Sequence, residues 1–181
     1  MWAIKIFMNK ITFLPRLQRE RDKFEKLLNQ VGFTRQMTMA GVIGNMSIKD
    51  LLADVLTREQ FIADRLNEIL HGESYWTSTS HTAFENFQKD NGYPDYESPL
   101  CEKEKYSHFV LQKYKNIGLD DIVEQELAAY ANIQSAMIKL PHEQCLDHDL
   151  YHRVAEHTYK PYRRTSMEIN RWLKSLETET K

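Results

Sequence analysis

Apolar residues recur along this chain with the period of an α-helix. Leu14, Leu17, Phe24, Leu27, Leu28 and Val31 fall three, four and seven residues apart and predict one amphipathic helix that Gly32 stops. Pro15 suits its first turn, and the charged run Arg16–Lys23 reads as its solvated face. Ser47, with Asp50 three residues on, predicts the N-cap of a second helix, whose stripe of Leu51, Leu52, Val55, Ile62, Leu66 and Ile69 runs to Gly72. A third helix starts near Leu119 and buries Ile122, Val123, Leu127, Tyr130, Ile133, Met137 and Leu140 before Pro141 ends it. The fourth runs from about Leu150 to Leu176, with Val154, Thr158, Pro161, Tyr162, Thr165, Ile169, Trp172 and Leu173 along its stripe. Pro161 lies inside that helix and predicts a kink there.

About forty residues separate the second and third helices, too many for a structureless loop in a small domain. Thr82–Asp90 and Glu102–Asn116 are predicted as short helices flanking the turn Asn91-Gly92-Tyr93-Pro94. No alternating run is long enough for a sheet. The expected fold is all-α: a single domain over residues 1–181, built as an antiparallel four-helix bundle with a long crossover between helices 2 and 3. Residues 1–13 read as an N-terminal extension, and Met8 as an alternative start.

Composition narrows function mainly by exclusion. The 181 residues carry 24 Lys+Arg against 26 Asp+Glu, a net charge of −2, which argues against nucleic acid as a partner held by a basic surface. No apolar stretch approaches the length of a membrane span. Lys5 and Lys10 interrupt the apolar start and no small-residue cleavage site follows, so no signal peptide is expected. Cys101 and Cys145 form no CxxC pattern and read as reduced thiols of a cytoplasmic protein. No Gly-rich phosphate loop, GxSxG elbow or HExxH is present.

Candidate chemistry gathers on the second and fourth helices. His157, Pro161 and Thr165 sit four apart and stack on one face. Asp54 interrupts an apolar segment, with Arg58 four residues on. The two form either an exposed ion pair or, if Asp54 points inward, a partner that orients His157 as a general base. His148, His152 and His157, with Asp147, Asp149 and Glu156, are metal candidates, although the two Asp serve equally well at a helix start. Tyr151, Tyr159, Tyr162 and Trp172 read first as core or surface aromatics.

Two blocks are similar to one family. Gly41-Val42-Ile43-Gly44-Asn45-Met46-Ser47-Ile48-Lys49-Asp50-Leu51-Leu52-Ala53 resembles the start of the second helix in DinB-like bundles. Val154–Arg163, continuing through Ile169-Asn170-Arg171-Trp172-Leu173, resembles the last helix of their ClbS/DfsB branch. The resemblance implies the same bundle and crossover. Many DinB-like proteins hold a divalent metal through three His, at places that fall here on Asp54, Pro161 and Thr165. Pro161 cannot ligate and Thr165 is a poor ligand, so no metal or other cofactor is expected. The Pro161-Tyr162 pair is similar to the branch that opens a strained cyclopropane in a genotoxin, whose second helix carries an aromatic residue in place of Asp54.

The expectation that follows is a toxin-resistance or stress protein that binds or hydrolyses a small, electrophilic molecule in a metal-free pocket. Asp54 and His157 would be catalytic, with Arg58, Pro161, Tyr162 and Thr165 binding the ligand. Two alternatives stay open. One is a metal-dependent hydrolase or thiol transferase with a rearranged site from Asp54, His157 and His152. The other is a non-catalytic homodimer that uses the 71–116 crossover as its partner surface, with Tyr75-Trp76 and Tyr93-Pro94-Asp95-Tyr96 exposed.

Overall fold

In a computed structural model, which describes residues 9–32 and 34–179, the Asn9 side chain accepts the backbone N–H of Thr12 and starts α1 (Lys10–Val31). The helix therefore begins earlier than its apolar stripe suggests. Phe13 is fully buried, so residues 9–13 belong to the bundle, and only residues 1–8 of the expected extension lie outside the described residues. Gly32, at φ 64°, ends α1 in a conformation that suits glycine. A short α2 (Arg35–Thr38) follows, too brief to carry a periodic signal.

Ser47 caps α3 (Ile48–Leu70) as expected. Its hydroxyl accepts the Asp50 N–H at 3.2 Å while the Asp50 carboxylate accepts the Ser47 N–H at 2.8 Å. The crossover carries α4 (His81–Asn91) and α5 (Lys103–Tyr114), turning at Gly92. Next come α6 (Leu119–Lys139), a short α7 (His142–Asp147), α8 (Leu150–His157) and α9 (Tyr159–Glu179). Among the described residues the fold is all-α, apart from an isolated bridge between Ile43 and Met46. Four long elements form the bundle: α1, α3, α6, and α8 with α9. α3 packs most extensively on α6 and α1 on α9, while α5 and α8 also rest on α3. Phe13, Leu17, Phe24, Leu56, Phe61, Ile62, Ile133 and Met137 fill the main core. A smaller cluster of Leu27, Ile48, Leu51, Ile169 and Trp172 closes one end.

Three details depart from the sequence expectation. The fourth helix is broken rather than kinked. Pro161 lacks an N–H and its ring crowds the carbonyl four residues back, that of His157, so the chain leaves helical geometry at Thr158 (φ −126°, ψ −96°) and restarts at Tyr159. Leu127 is 51% exposed, and Glu126 takes its place on the buried face of α6. The run Arg16–Lys23 is not wholly solvated, because Glu20 and Arg21 are buried.

Candidate functional site

The break at Thr158 sets the last residue of α8, His157, against the crossover. Phe61 of α3 packs on its imidazole, with ring centroids 5.0 Å apart. Glu97 also approaches the ring, with Oε1 3.6 Å from His157 Nε2. Burial pushes the imidazole below its ordinary pKa, against the pull of Glu97, and the nearby Arg58 and Arg153 push the same way. His157 is therefore neutral at physiological pH. Ionised Glu97 favours the proton on Nε2, which leaves a lone pair on Nδ1, and Nδ1 is buried without a hydrogen-bond partner.

Glu97 is itself held firmly. Arg153 grips it through Nε at 2.7 Å and a terminal nitrogen at 2.9 Å. Burial alone would raise this carboxyl, but His157 and Arg153 outweigh it and hold Glu97 near a pKa of about 2. Its backbone is fixed by fully buried Asp95, whose carboxylate accepts the Tyr75 hydroxyl, the Ser78 N–H at 2.8 Å and the Glu97 N–H at 3.2 Å. Tyr93, Pro94 and Asp95 are thus buried, and Tyr75 packs edge-on against Phe61. Of the crossover aromatics expected on a partner surface, Trp76, at 85% exposed, stands out in solvent.

His157 lines a cleft of about 500 Å³ between α3, the crossover, α8 and the start of α9, together with Arg58, Glu97, Cys101, Arg153 and Arg164. Burial pushes the Cys101 thiol up to about 11, which leaves it protonated at neutral pH and a poor nucleophile. A second cavity of about 240 Å³ shares Arg58 and Arg164 with the first and holds Asp54, Pro161 and Thr165.

Four of the six expected site residues, Asp54, Arg58, Pro161 and Thr165, therefore line the second cavity. His157 and Arg58 line the first, and Arg58 joins the two. Tyr162 lies elsewhere. It is buried in the bundle, its hydroxyl donates to Glu59, and its ring stacks on Phe24 with centroids 5.1 Å apart. Asp54 makes no hydrogen bond or ion pair to His157 among the described residues. Its Oδ2 pairs with Arg58 Nε at 3.1 Å, and Arg58 lies over the Tyr96 ring at 4.7 Å.

No family model matches the chain, and no curated protein matches it. The crystal structure of an uncharacterised protein from Escherichia coli UTI89 shares its fold. The TM-score is 0.66 at 11% identity, over 97% of this chain and 98% of that one.

The donor set at Asp54, Pro161 and Thr165 does not suit a metal ion: a guanidinium pairs with one oxygen of the carboxylate, proline offers no donor atom and threonine is a poor ligand. His152 is largely exposed and reaches toward Glu156 at 3.6 Å. No group of three or more metal-donor side chains converges among the described residues. No described helix is long and apolar enough to cross a membrane.

A second polar cluster, missed from sequence, lies inside the bundle. Arg21 of α1 pairs with Glu126 of α6, donates to Glu25 at 2.9 Å, and sits 3.9 Å from Glu59 of α3. Complete burial pushes the Glu59 carboxyl up to about 8, against the opposing pull of Arg21 and the Tyr162 hydroxyl. Each of these residues falls on an apolar stripe: Arg21 between Leu17 and Phe24, Glu59 between Val55 and Ile62, Glu126 between Ile122 and Tyr130. That placement was the available signal.

Proposed function

We propose that this chain binds a small electrophilic molecule in the His157 cleft and adds water to it without a metal, as its resemblance to the ClbS/DfsB branch of DinB-like bundles implies. One observation carries the reading. A buried, neutral imidazole has an ionised carboxylate 3.6 Å from one nitrogen and an unpartnered lone pair on the other. That is the arrangement of a general base with its orienting group. Glu97 takes the orienting role that the sequence offered to Asp54, while Asp54 holds Arg58 at the cleft wall.

Nδ1 of His157 takes a proton from water as the water oxygen bonds to the electrophilic carbon. The bond from that carbon to its leaving atom breaks, and the electron pair leaves with that atom. The imidazolium, stabilised by Glu97, then returns the proton there. In an activated cyclopropane the leaving atom is the ring carbon next to a carbonyl, and the product is a ring-opened alcohol.

The test is hydrolysis of a panel containing an acyl-activated cyclopropane, an epoxide and an activated ester, followed by mass spectrometry. His157→Ala should lower turnover at least 100-fold with unchanged circular dichroism. Asp54→Asn, which loosens Arg58, should lower it only several-fold. Equal turnover by wild type and His157→Ala, or turnover abolished by a chelator, would sink the reading.

A further inference from the structure

The second cavity differs in character from the first, although Arg58 and Arg164 form a wall of both. Its other sides are largely Ile43, Met46, Leu51 and Met167. Ile43 and Met46 are pinned there by their mutual bridge, with the Met46 N–H bonding the Ile43 carbonyl at 3.0 Å. Ile43 is 43% and Met167 62% exposed, so the rim of this cavity shows apolar surface to water that an occupant would cover.

The two linings carry as many carboxylates as cations, but the carboxylates are already engaged. Each acidic group has its own cation: Asp54 with Arg58, Glu97 with Arg153, Glu156 with Lys160, Glu168 with Arg171. Arg164 and Lys103 also line this groove, and among the described residues neither makes an ion pair. Arg164 stands on the shared wall, where its planar guanidinium can grip a carboxylate through two nitrogens. Beside it, Asp54 Oδ1 is buried with no hydrogen-bond partner and can accept an N–H or O–H.

We propose that the two cavities are halves of one groove for an amphipathic organic anion, its carboxylate held at Arg164 and Arg58 and its apolar arm laid along Leu51, Met46, Ile43 and Met167. This names the substrate class of the site proposed above and rests on that reading for the reactive end, which would lie in the His157 half.

The probe is octanoate, titrated calorimetrically into the full chain, with acetate, octanol and octylamine as controls. Octanoate should bind at least tenfold tighter than any of the three. Arg164→Ala should weaken it at least tenfold and Arg164→Lys less. Met167→Glu should weaken it as much as Arg164→Ala. Both positions are exposed, and circular dichroism verifies the fold of each variant. Octylamine binding as tightly as octanoate, or indifference to Arg164→Ala, overturns the proposal. So does cosedimentation with anionic lipid vesicles in the absence of octanoate binding, which would assign the cationic rim to a membrane surface. Octanoate binding as expected with no electrophile turned over defeats the proposed reaction and leaves the groove standing. Turnover that depends on His157, with octanoate blind to Arg164, defeats the groove alone.

Discussion

At the scale of single residues, His157 depends on Glu97 more than on anything near it in sequence. Glu97 is the carboxylate within 4 Å of the ring among the described residues, and Arg58 and Arg153 oppose it by favouring the neutral imidazole. Glu97→Gln should therefore move the His157 titration, followed by NMR, to still lower pH. The anion that held the imidazole pKa up is gone, and Arg153 loses the partner that offset its charge. A titration that stays put or moves up would show that Glu97 does not govern this base. His157 was legible in the sequence as a polar residue on the face it shares with Pro161 and Thr165. Glu97 was not. It lies in a crossover with no periodicity, and only the buried Asp95 clamp and Arg153 bring it to the ring. Asp54 looked like the partner because it interrupts an apolar run, but the nearest cation, one helical turn on, claims it.

At the scale of elements, the four long helices were legible because each buries one stripe, and the caps at Ser47 and Gly32 punctuate them as expected. The break in the fourth helix shows the limit of pattern reading. Proline signals a disturbance, but the strain falls on the carbonyl four residues back, so the chain yields at Thr158 and Pro161 sits in the first turn of α9. That displacement is what makes His157 the end of one helix rather than the middle of another. Pro161→Ala returns an N–H that can bond the His157 carbonyl and should let α8 and α9 join. The expected outcome is a gain of the order of 1 kcal/mol in urea unfolding, with turnover of the electrophile panel reduced. Lower stability with intact turnover would show that the break has another cause.

At the scale of the whole molecule, three helices meet on one internal ion cluster, and it makes stability depend on pH in a way the surface does not. Arg21 serves three carboxylates, and Glu59, the most deeply buried, is left as the acid. Its folded pKa of about 8 lies above its ordinary value of 4.5. Between those values the unfolded chain releases this proton and the folded chain keeps it, so the contribution of Glu59 falls as pH rises, by up to about 1.4 kcal/mol per pH unit. Three other groups act in the opposite sense, His157, Glu20 and Glu97. His157, depressed, weakens the fold as pH drops below about 6.5. Glu20 and Glu97, held to about 2, do so as pH falls from 4.5 toward 2. Comparing wild type with Glu59→Gln cancels those contributions. The amide keeps an oxygen for the Tyr162 hydroxyl and cannot ionise. The variant should match wild type near pH 4.5 and exceed it increasingly up to pH 8, with a ceiling of about 5 kcal/mol. Glu126→Gln should behave in the opposite way, costing about 3 kcal/mol or more, because it strips Arg21 of its closest anion in a dry interior. Urea unfolding of the three proteins at several pH values decides the matter. A pH-independent difference between wild type and Glu59→Gln would mean that Glu59 is already ionised in the fold and that Arg21 holds it as a salt bridge.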